Sequence, residues 1–189
     1  MSNPFPAAYK AATLGAIESI DLEKVGRVIE IFRQARDEGR GIFICGNGGS
    51  AATASHFATE IVKGASYGKA KRFRMMALTD SMSTLTAYSN DVSYDCAFAE
   101  QLKNFAEPGD VVLGLSSSGN SPSVLRAIEY ANALGCRTIA FTGFDGGKLG
   151  PLAELNLHIP VPHTGRSEEA HMVVMHMICY YFMEEEQRA

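Results

Sequence analysis

Two short apolar segments of this chain each end in a small, glycine-bearing polar loop that leads into a helical pattern. The first covers residues 41–45 and continues into the loop 46–50, Gly-Asn-Gly-Gly-Ser. The second covers residues 111–115 and continues into the loop 116–121, Ser-Ser-Ser-Gly-Asn-Ser. A strand that ends in such a loop before a helix presents backbone N–H groups and hydroxyls at the positive end of the helix dipole. The two loops together predict a binding site for a phosphorylated small molecule.

Beyond these loops the chain alternates between strand and helix patterns. The strand patterns lie near 41–45, 73–78, 110–115, 136–142 and 155–160, and the helical patterns near 49–64, 94–106, 121–134 and 166–186. Such alternation is typical of parallel strands joined by right-handed crossovers. It predicts an α/β fold, a doubly wound five-stranded parallel sheet of order 2-1-3-4-5 flanked by helices. Ligands bind where that order reverses, between the first and third strands, and both polar loops follow those strands.

The first forty residues predict two helices that precede the alternating pattern. Residues 7–20 are rich in alanine, and Asp21 is placed to cap a second helix with apolar residues at helical spacing. At 189 residues, of which 46% are hydrophobic, the chain has the size and composition of one globular domain. We therefore predict a single domain over residues 1–189, in which residues 1–40 form the N-terminal helices.

Charge and hydropathy exclude several classes of partner. The formal net charge is −4, and no cluster of Lys and Arg is long enough to follow a nucleic-acid backbone. No apolar run approaches the roughly 20 residues that cross a bilayer, and no signal peptide opens the sequence. The four cysteines form no C-x-x-C pair, so reduced thiols are expected. We predict a cytoplasmic protein without nucleic-acid or membrane partners.

Carboxylates and imidazoles recur on two of the predicted helices. His56 and Glu60 are four residues apart and share a face of the helix that follows the first loop. The last predicted helix carries two more residues of each type, at Glu168, Glu169, His171 and His176. A carboxylate and an imidazole beside a phosphate site suit proton abstraction next to a carbonyl, as in aldose–ketose isomerisation through an enediol. The same side chains suit a divalent metal such as zinc, and the two interpretations are compatible.

Four motifs, in their order along the chain, resemble those of the sugar isomerase (SIS) domain family. They are GNGGSAA at 46–52, HFAxE at 56–60, SxSGNS at 116–121 and TGxDGGK at 142–148. Within that family the sequence is most similar to the phosphoheptose isomerases, and the similarity covers nearly the whole chain. The resemblance implies an aldose–ketose isomerase that converts sedoheptulose 7-phosphate into D-glycero-D-manno-heptose 7-phosphate through an enediol.

The resemblance also implies roles for individual residues. The catalytic pair of the family matches Glu60 and His176, and its zinc ligands, one ion per subunit, match His56, Glu60, Glu168 and His176. The substrate-binding positions match Asn47, Gly48, Gly49, Ser50, Asn90, Asp91, Ser116, Ser117, Ser118, Ser121 and Glu168. No nucleotide cofactor is implied. The family is tetrameric with active sites at subunit contacts, so we expect a homotetramer in which the N-terminal helices serve assembly.

Two other functions remain open at the level of sequence. Some relatives, including those that associate with the bacterial replication initiator, keep the fold and the loops but lack the catalytic glutamate and histidine. A non-catalytic phosphosugar-binding module is therefore the first alternative. Glu168 stands where the isomerases usually have glutamine, and Lys63 stands where they commonly have arginine. These departures favour, as the second alternative, an isomerase of another phosphosugar.

Overall fold

A five-stranded parallel sheet lies at the centre of the computed structural model, which describes residues 3–186. The strands are β1 (Gly41–Gly46), β2 (Arg74–Ala77), β3 (Val111–Ser116), β4 (Arg137–Thr142) and β5 (Leu155–His158). Hydrogen bonding gives the order β2-β1-β3-β4-β5 with every pair parallel, which confirms the predicted topology. Every residue of β1 and β3 is buried, because helices cover both faces of the sheet.

Helices connect the strands and precede the sheet. They are α1 (Phe5–Glu18), α2 (Leu22–Asp37), α3 (Gly49–Thr59), α4 (Met82–Asp91), α5 (Ala97–Phe105), α6 (Pro122–Leu134), α7 (Leu149–Leu152) and α8 (Thr164–Tyr180). Three short turns extend them: π-helical Glu60–Gly64 after α3, 3-10 Tyr94–Cys96 before α5 and π-helical Tyr181–Glu185 after α8. The two N-terminal helices occur as predicted. No helix within residues 3–186 combines the length and the apolar character needed to cross a bilayer.

Helix α4 is the main element that the sequence patterns did not predict. None of its residues is buried, so the segment lacks the apolar periodicity by which a helix is found in a sequence. Its start is instead fixed locally, because the Ser81 side chain accepts a hydrogen bond from the backbone N–H of Thr84 at 3.4 Å. The helix leads from β2 to the 3-10 turn that precedes α5.

Two helices that carry candidate site residues pack side by side on one face of the sheet. Near its start α8 places Glu168 against Gly49, and further along it places His176 against His56. The two helices therefore run in the same direction. Beneath them Phe32 of α2 stacks on the α3 ring Phe57, with 5.6 Å between ring centroids, so the face is anchored in the core.

All five described strands belong to one hydrogen-bonded sheet. The domain boundary predicted at residues 1–189 includes residues 1–2 and 187–189, which lie outside the described residues. The assembly role predicted for residues 1–40 stays a prediction.

Candidate active site

The loop after β1 turns sharply so that α3 can begin next to the sheet. Gly48 has a φ of +54°, a conformation that favours glycine, and it forms the N-cap of α3 without a side-chain capping bond. Gly46 is equally constrained, because an added Cβ would lie 2.9 Å from the main-chain oxygen of Ser50. The first backbone N–H groups of α3 therefore point out of an uncapped helix end, where the dipole favours an anion.

The loop after β3 gathers hydroxyl groups at the start of α6. Ser116 Oγ lies 3.0 Å from Ser121 Oγ and 3.4 Å from Ser118 Oγ. Ser117 Oγ is buried and has no hydrogen-bond partner among the described residues. Ser121 is the N-cap of α6, and its side chain makes no capping bond. A group of hydroxyls that bond mainly to one another, beside an uncapped helix end, is suited to the oxygens of a phosphate group.

A third loop, residues 143–148, packs against the serine loop and fixes its shape. The backbone N–H of Gly143 donates to the Ser117 carbonyl at 2.8 Å, and that of Leu149 donates to the Gly119 carbonyl at 2.9 Å. Gly119 has a φ of +64° and lies so close to Gly146 that an added Cβ would overlap the Gly146 carbonyl. The loop at residues 143–148 therefore supports the serine loop through main-chain contacts.

Asn47 connects the first two loops. Its Nδ2 donates to Ser123 Oγ in the first turn of α6 at 3.0 Å, and its Oδ1 accepts from the Tyr94 hydroxyl at 2.5 Å. The strands β1 and β3 are neighbours, so their loops meet at the point where the strand order reverses. Tyr94 and Ser123 were missed by the sequence reasoning, because neither residue belongs to a motif and the contacts form only in the folded chain.

A carboxylate and two imidazoles come together where α3 lies along α8. Glu60 Oε1 is 3.7 Å from His56 Nε2, and the His56 ring meets the His176 ring edge-on at 5.2 Å between centroids. The negative charge of Glu60 also contributes, after burial, to the raised pKa of the Cys179 thiol. Glu60 and His176 are half-buried and His56 is exposed, so the group is accessible to a ligand. This cluster contains both predicted catalytic residues.

Glu168 lies apart from that cluster, at the beginning of α3. Its carboxyl atoms are 2.6–2.8 Å from the position that a Cβ on Gly49 would occupy. Burial, and to a lesser extent the charge of Glu169, raises the pKa of the Glu168 carboxyl above its ordinary value. Eight residues separate Glu168 from His176, which corresponds to about 12 Å along a helix. Glu168 therefore faces the uncapped start of α3.

The four predicted zinc ligands thus do not converge on one point. Within residues 3–186 no group of three His, Cys, Asp or Glu side chains has an arrangement that could hold a metal ion. The side-chain types of His56, Glu60 and His176 are nevertheless those that zinc binds, and His56 contacts each of the other two. Glu168, in the position described, does not join them.

Two other candidate groups occupy separate places. Asn90 and Asp91 end α4, where both are exposed and the Asn90 amide donates to the Asp91 carboxylate at 2.7 Å. The hydrogen bonds described for their side chains connect them only to each other. His171, the remaining histidine of α8, is 1% exposed and its Nε2 lies 3.1 Å from the main-chain oxygen of Thr142. His171 is therefore part of the core and not of the site.

Comparison with known proteins agrees with the geometry. Residues 7–143 match the family model of the SIS domain. The chain is 45% identical to a probable phosphoheptose isomerase of Thermoplasma volcanium over 90% of its own length and 87% of that protein. It is 40% identical to the phosphoheptose isomerase of Aliarcobacter butzleri, covering 91% of this chain and 90% of the relative. The solved structure of phosphoheptose isomerase from Neisseria gonorrhoeae superimposes with a TM-score of 0.86 at 35% identity, covering 93% of this chain and 95% of that one. The chain belongs to the SIS-domain family and, within it, to the phosphoheptose isomerases.

Proposed function

We propose that this chain interconverts sedoheptulose 7-phosphate and D-glycero-D-manno-heptose 7-phosphate through an enediol. Its phosphoheptose isomerase relatives indicate an aldose–ketose isomerase. The observation that carries the proposal is the contact of Glu60 with His56, and of His56 with His176, where α8 lies along the helix that starts at the first polar loop. A base and an acid are thereby available at one end of a phosphate site.

The spacing along α3 favours a long sugar phosphate. His56 lies seven residues beyond Gly49, about 10 Å along the helix at 1.5 Å per residue. Side chains on a helix lean towards its N terminus, so the side chains of His56 and Glu60 reach back towards the loops. A substrate whose phosphate is held at the loops must therefore extend over several carbons before its carbonyl meets the acid–base group, as a heptulose phosphate does.

Each residue has a defined part in this reaction. The hydroxyls of Ser116, Ser118 and Ser121, with the uncapped starts of α3 and α6, hold the phosphate and so fix the reacting carbons. Glu60 takes the proton from one of carbons 1 and 2 and returns it to the other. His176 exchanges a proton with the oxygens on those carbons, so that neither carries a full negative charge in the enediol. The reaction moves protons only, and therefore calls for no nucleotide cofactor.

We also propose that His56, Glu60 and His176 hold a zinc ion once their side chains turn towards one another from the positions described, because two imidazoles and a carboxylate form a donor set that suits this metal. When bound, zinc would polarise the carbonyl and hydroxyl oxygens of the sugar. Protein purified without chelator should then contain about one zinc per chain by elemental analysis, and His56→Ala should lower that content. Zinc-free protein with full activity would leave the three side chains as acid–base groups.

The Glu60→Gln variant tests the proposed chemistry. Glutamine keeps the size of the side chain but cannot accept the carbon-bound proton, so turnover should fall by at least about a thousandfold while inorganic phosphate still binds. Glu129→Gln is the control, because Glu129 is an exposed residue of α6. Unchanged turnover in Glu60→Gln would refute the role of this residue.

A panel of C5 to C7 ketose phosphates separates the alternatives. The proposal predicts the highest kcat/KM for the heptulose phosphate. A different preferred sugar would identify an isomerase of another phosphosugar. Phosphosugar binding by the wild-type protein without turnover of any member of the panel would identify a non-catalytic binding module.

We further propose that the chain forms a homotetramer through its N-terminal helices and works in the cytoplasm. The apolar residues Phe5 and Leu14 of α1 and Leu22 of α2 are 65%, 49% and 66% exposed, which supports a covered surface there. All four cysteines are free thiols, as expected in a reducing compartment. Light scattering should give the mass of four chains, and Leu14→Glu should lower it; a wild-type monomer would contradict the assembly.

A further inference from the structure

Tyr94 lies where three segments of the proposed substrate site meet. It begins the 3-10 turn that follows α4, three residues after the Asn90–Asp91 pair. Its hydroxyl donates to Asn47 Oδ1 at 2.5 Å, and Asn47 Nδ2 in turn donates to Ser123 Oγ at 3.0 Å. This chain of hydrogen bonds connects the segment after β2, the loop after β1 and the first turn of the helix after β3.

The two hydrogen bonds leave the amide of Asn47 with a single orientation. The acceptor side of the amide faces the Tyr94 hydroxyl and the donor side faces Ser123, so a rotation of the group would break both bonds. The main chain of the same residue is also engaged, because the Asn47 carbonyl accepts from the Ala51 N–H at 3.3 Å. A loop fixed in this way before a ligand arrives loses less conformational entropy when it binds.

The surroundings of Tyr94 keep its hydroxyl in place as a donor. Its ring meets the Phe98 ring at 6.4 Å between centroids, and the neighbouring Asp95 is 3.7 Å from the guanidinium of Arg126 on α6. A phenol is protonated at neutral pH, and the partial burial of Tyr94, which is 45% exposed, raises its pKa further. The ring contact and the ion pair do not involve the hydroxyl, which can therefore be removed without removing either.

We propose that Tyr94 is a positioning residue for phosphosugar binding: its hydroxyl fixes the Asn47 amide and, through Ser123, the separation of the two phosphate loops. The substrate named here rests on the proposed function. The hydrogen bonds act at the phosphate end of the site and are remote from the reacting carbons. Tyr94 therefore affects the binding of substrate, and so KM, but not the chemical step.

The test compares Tyr94→Phe with wild-type protein in two assays. Loss of one neutral hydrogen bond should raise both the KM for the sugar phosphate and the Kd for inorganic phosphate roughly three- to tenfold, with kcat within about twofold. Ser123→Ala should act in the same direction, because it removes the other partner of the Asn47 amide. Tyr130→Phe is the control, since it removes a phenol hydroxyl from a half-buried residue of α6 that lies nine positions after Ser121 and packs against the core.

The double variant distinguishes positioning from a general loss of structure. If both residues act through Asn47, the phosphate Kd of Tyr94→Phe/Ser123→Ala should match the larger single effect, not the product of the two. Multiplied effects, an unchanged phosphate Kd in Tyr94→Phe, or a fall in kcat at constant KM would each overturn the inference.

The phosphate assay also separates this inference from the proposed function. A wild-type protein that binds phosphate but isomerises none of the ketose phosphates overturns the proposed function alone, because the Kd comparison still decides the role of Tyr94. A wild-type protein that binds no phosphate overturns both.

Discussion

The buried His171 couples the stability of this fold to pH. Its ring is 1% exposed and tilts against Phe141 at 5.6 Å between centroids, and its Nε2 lies 3.1 Å from the Thr142 carbonyl oxygen. Burial lowers the pKa of His171 from 6.5 to about 4, because a charged imidazole loses its hydration in the core; the Thr142 contact opposes this, and His158 adds to it.

The sign and size of the effect follow from the proton balance. Between pH 6.5 and pH 4 the unfolded chain binds a proton at this residue that the folded chain does not bind. The depressed pKa therefore lets the fold keep its full stability above pH 6.5, and stability falls as the pH decreases towards 4. At 1.36 kcal/mol for each unit of pKa, the loss over that window is about 3 kcal/mol.

Urea unfolding at pH 7.5 and pH 4.5 measures this loss. His171→Gln keeps an amide near the Thr142 carbonyl but cannot titrate. Between pH 7.5 and pH 4.5, its unfolding free energy should therefore fall by about 2 to 3 kcal/mol less than that of the wild type. The difference between the pH values, not the absolute stability of the variant, is compared. The reasoning is wrong if His171→Gln and the wild type lose the same free energy on acidification.

Three further substitutions test the loops. Gly119→Ala should destabilise the protein by more than about 2 kcal/mol in urea unfolding, because it combines a positive φ with overlap on Gly146. Gly135→Ala is the control: this residue also has a positive φ but has open space around it, so the substitution should cost about 1 kcal/mol. Equal costs for the two variants would refute the overlap. Ionised Glu168 repels an anion at the start of α3, so the affinity of the wild type for sulfate should weaken severalfold as the pH rises above the ordinary carboxyl range near 4.5. Glu168→Gln should abolish this pH dependence. A wild-type affinity that is independent of pH would contradict the prediction. Gly49→Ala should raise the Kd for inorganic phosphate at least about tenfold by displacing the Glu168 carboxylate into the anion site, as estimated from the usual cost of a core overlap, and an unchanged Kd would show that the carboxylate moves elsewhere.

The fold could be predicted from the sequence because its signals are local. Each strand that becomes fully buried, such as β1 and β3, is a continuous apolar run that ends in a glycine-bearing loop. The alternation of strand and helix patterns indicates parallel strands joined by right-handed crossovers, as the structure has them. The exposed helix α4 could not be predicted, because none of its side chains is buried and apolar periodicity is the signal of a helix in sequence.

The site was predictable in its parts but not in its connections. The spacing of His56 and Glu60 on one helix indicates their contact, which the structure has at 3.7 Å. The contact of His56 with His176, and the position of Glu168 against Gly49, depend on how α8 lies along α3. That packing is a tertiary property for which neither helix carries a sequence signal.

Proton exchange with solvent tests the central claim most directly. When the wild-type protein equilibrates sedoheptulose 7-phosphate with its product in deuterium oxide, we expect deuterium at carbon 2 of the aldose and, through the reverse reaction, at carbon 1 of the ketose. Nuclear magnetic resonance detects both, and both arise because the proton held by Glu60 exchanges while the enediol exists. The Glu60→Gln variant should bind the sugar and incorporate none. Incorporation by Glu60→Gln at the wild-type rate, or wild-type turnover without any deuterium in the product, would contradict the account.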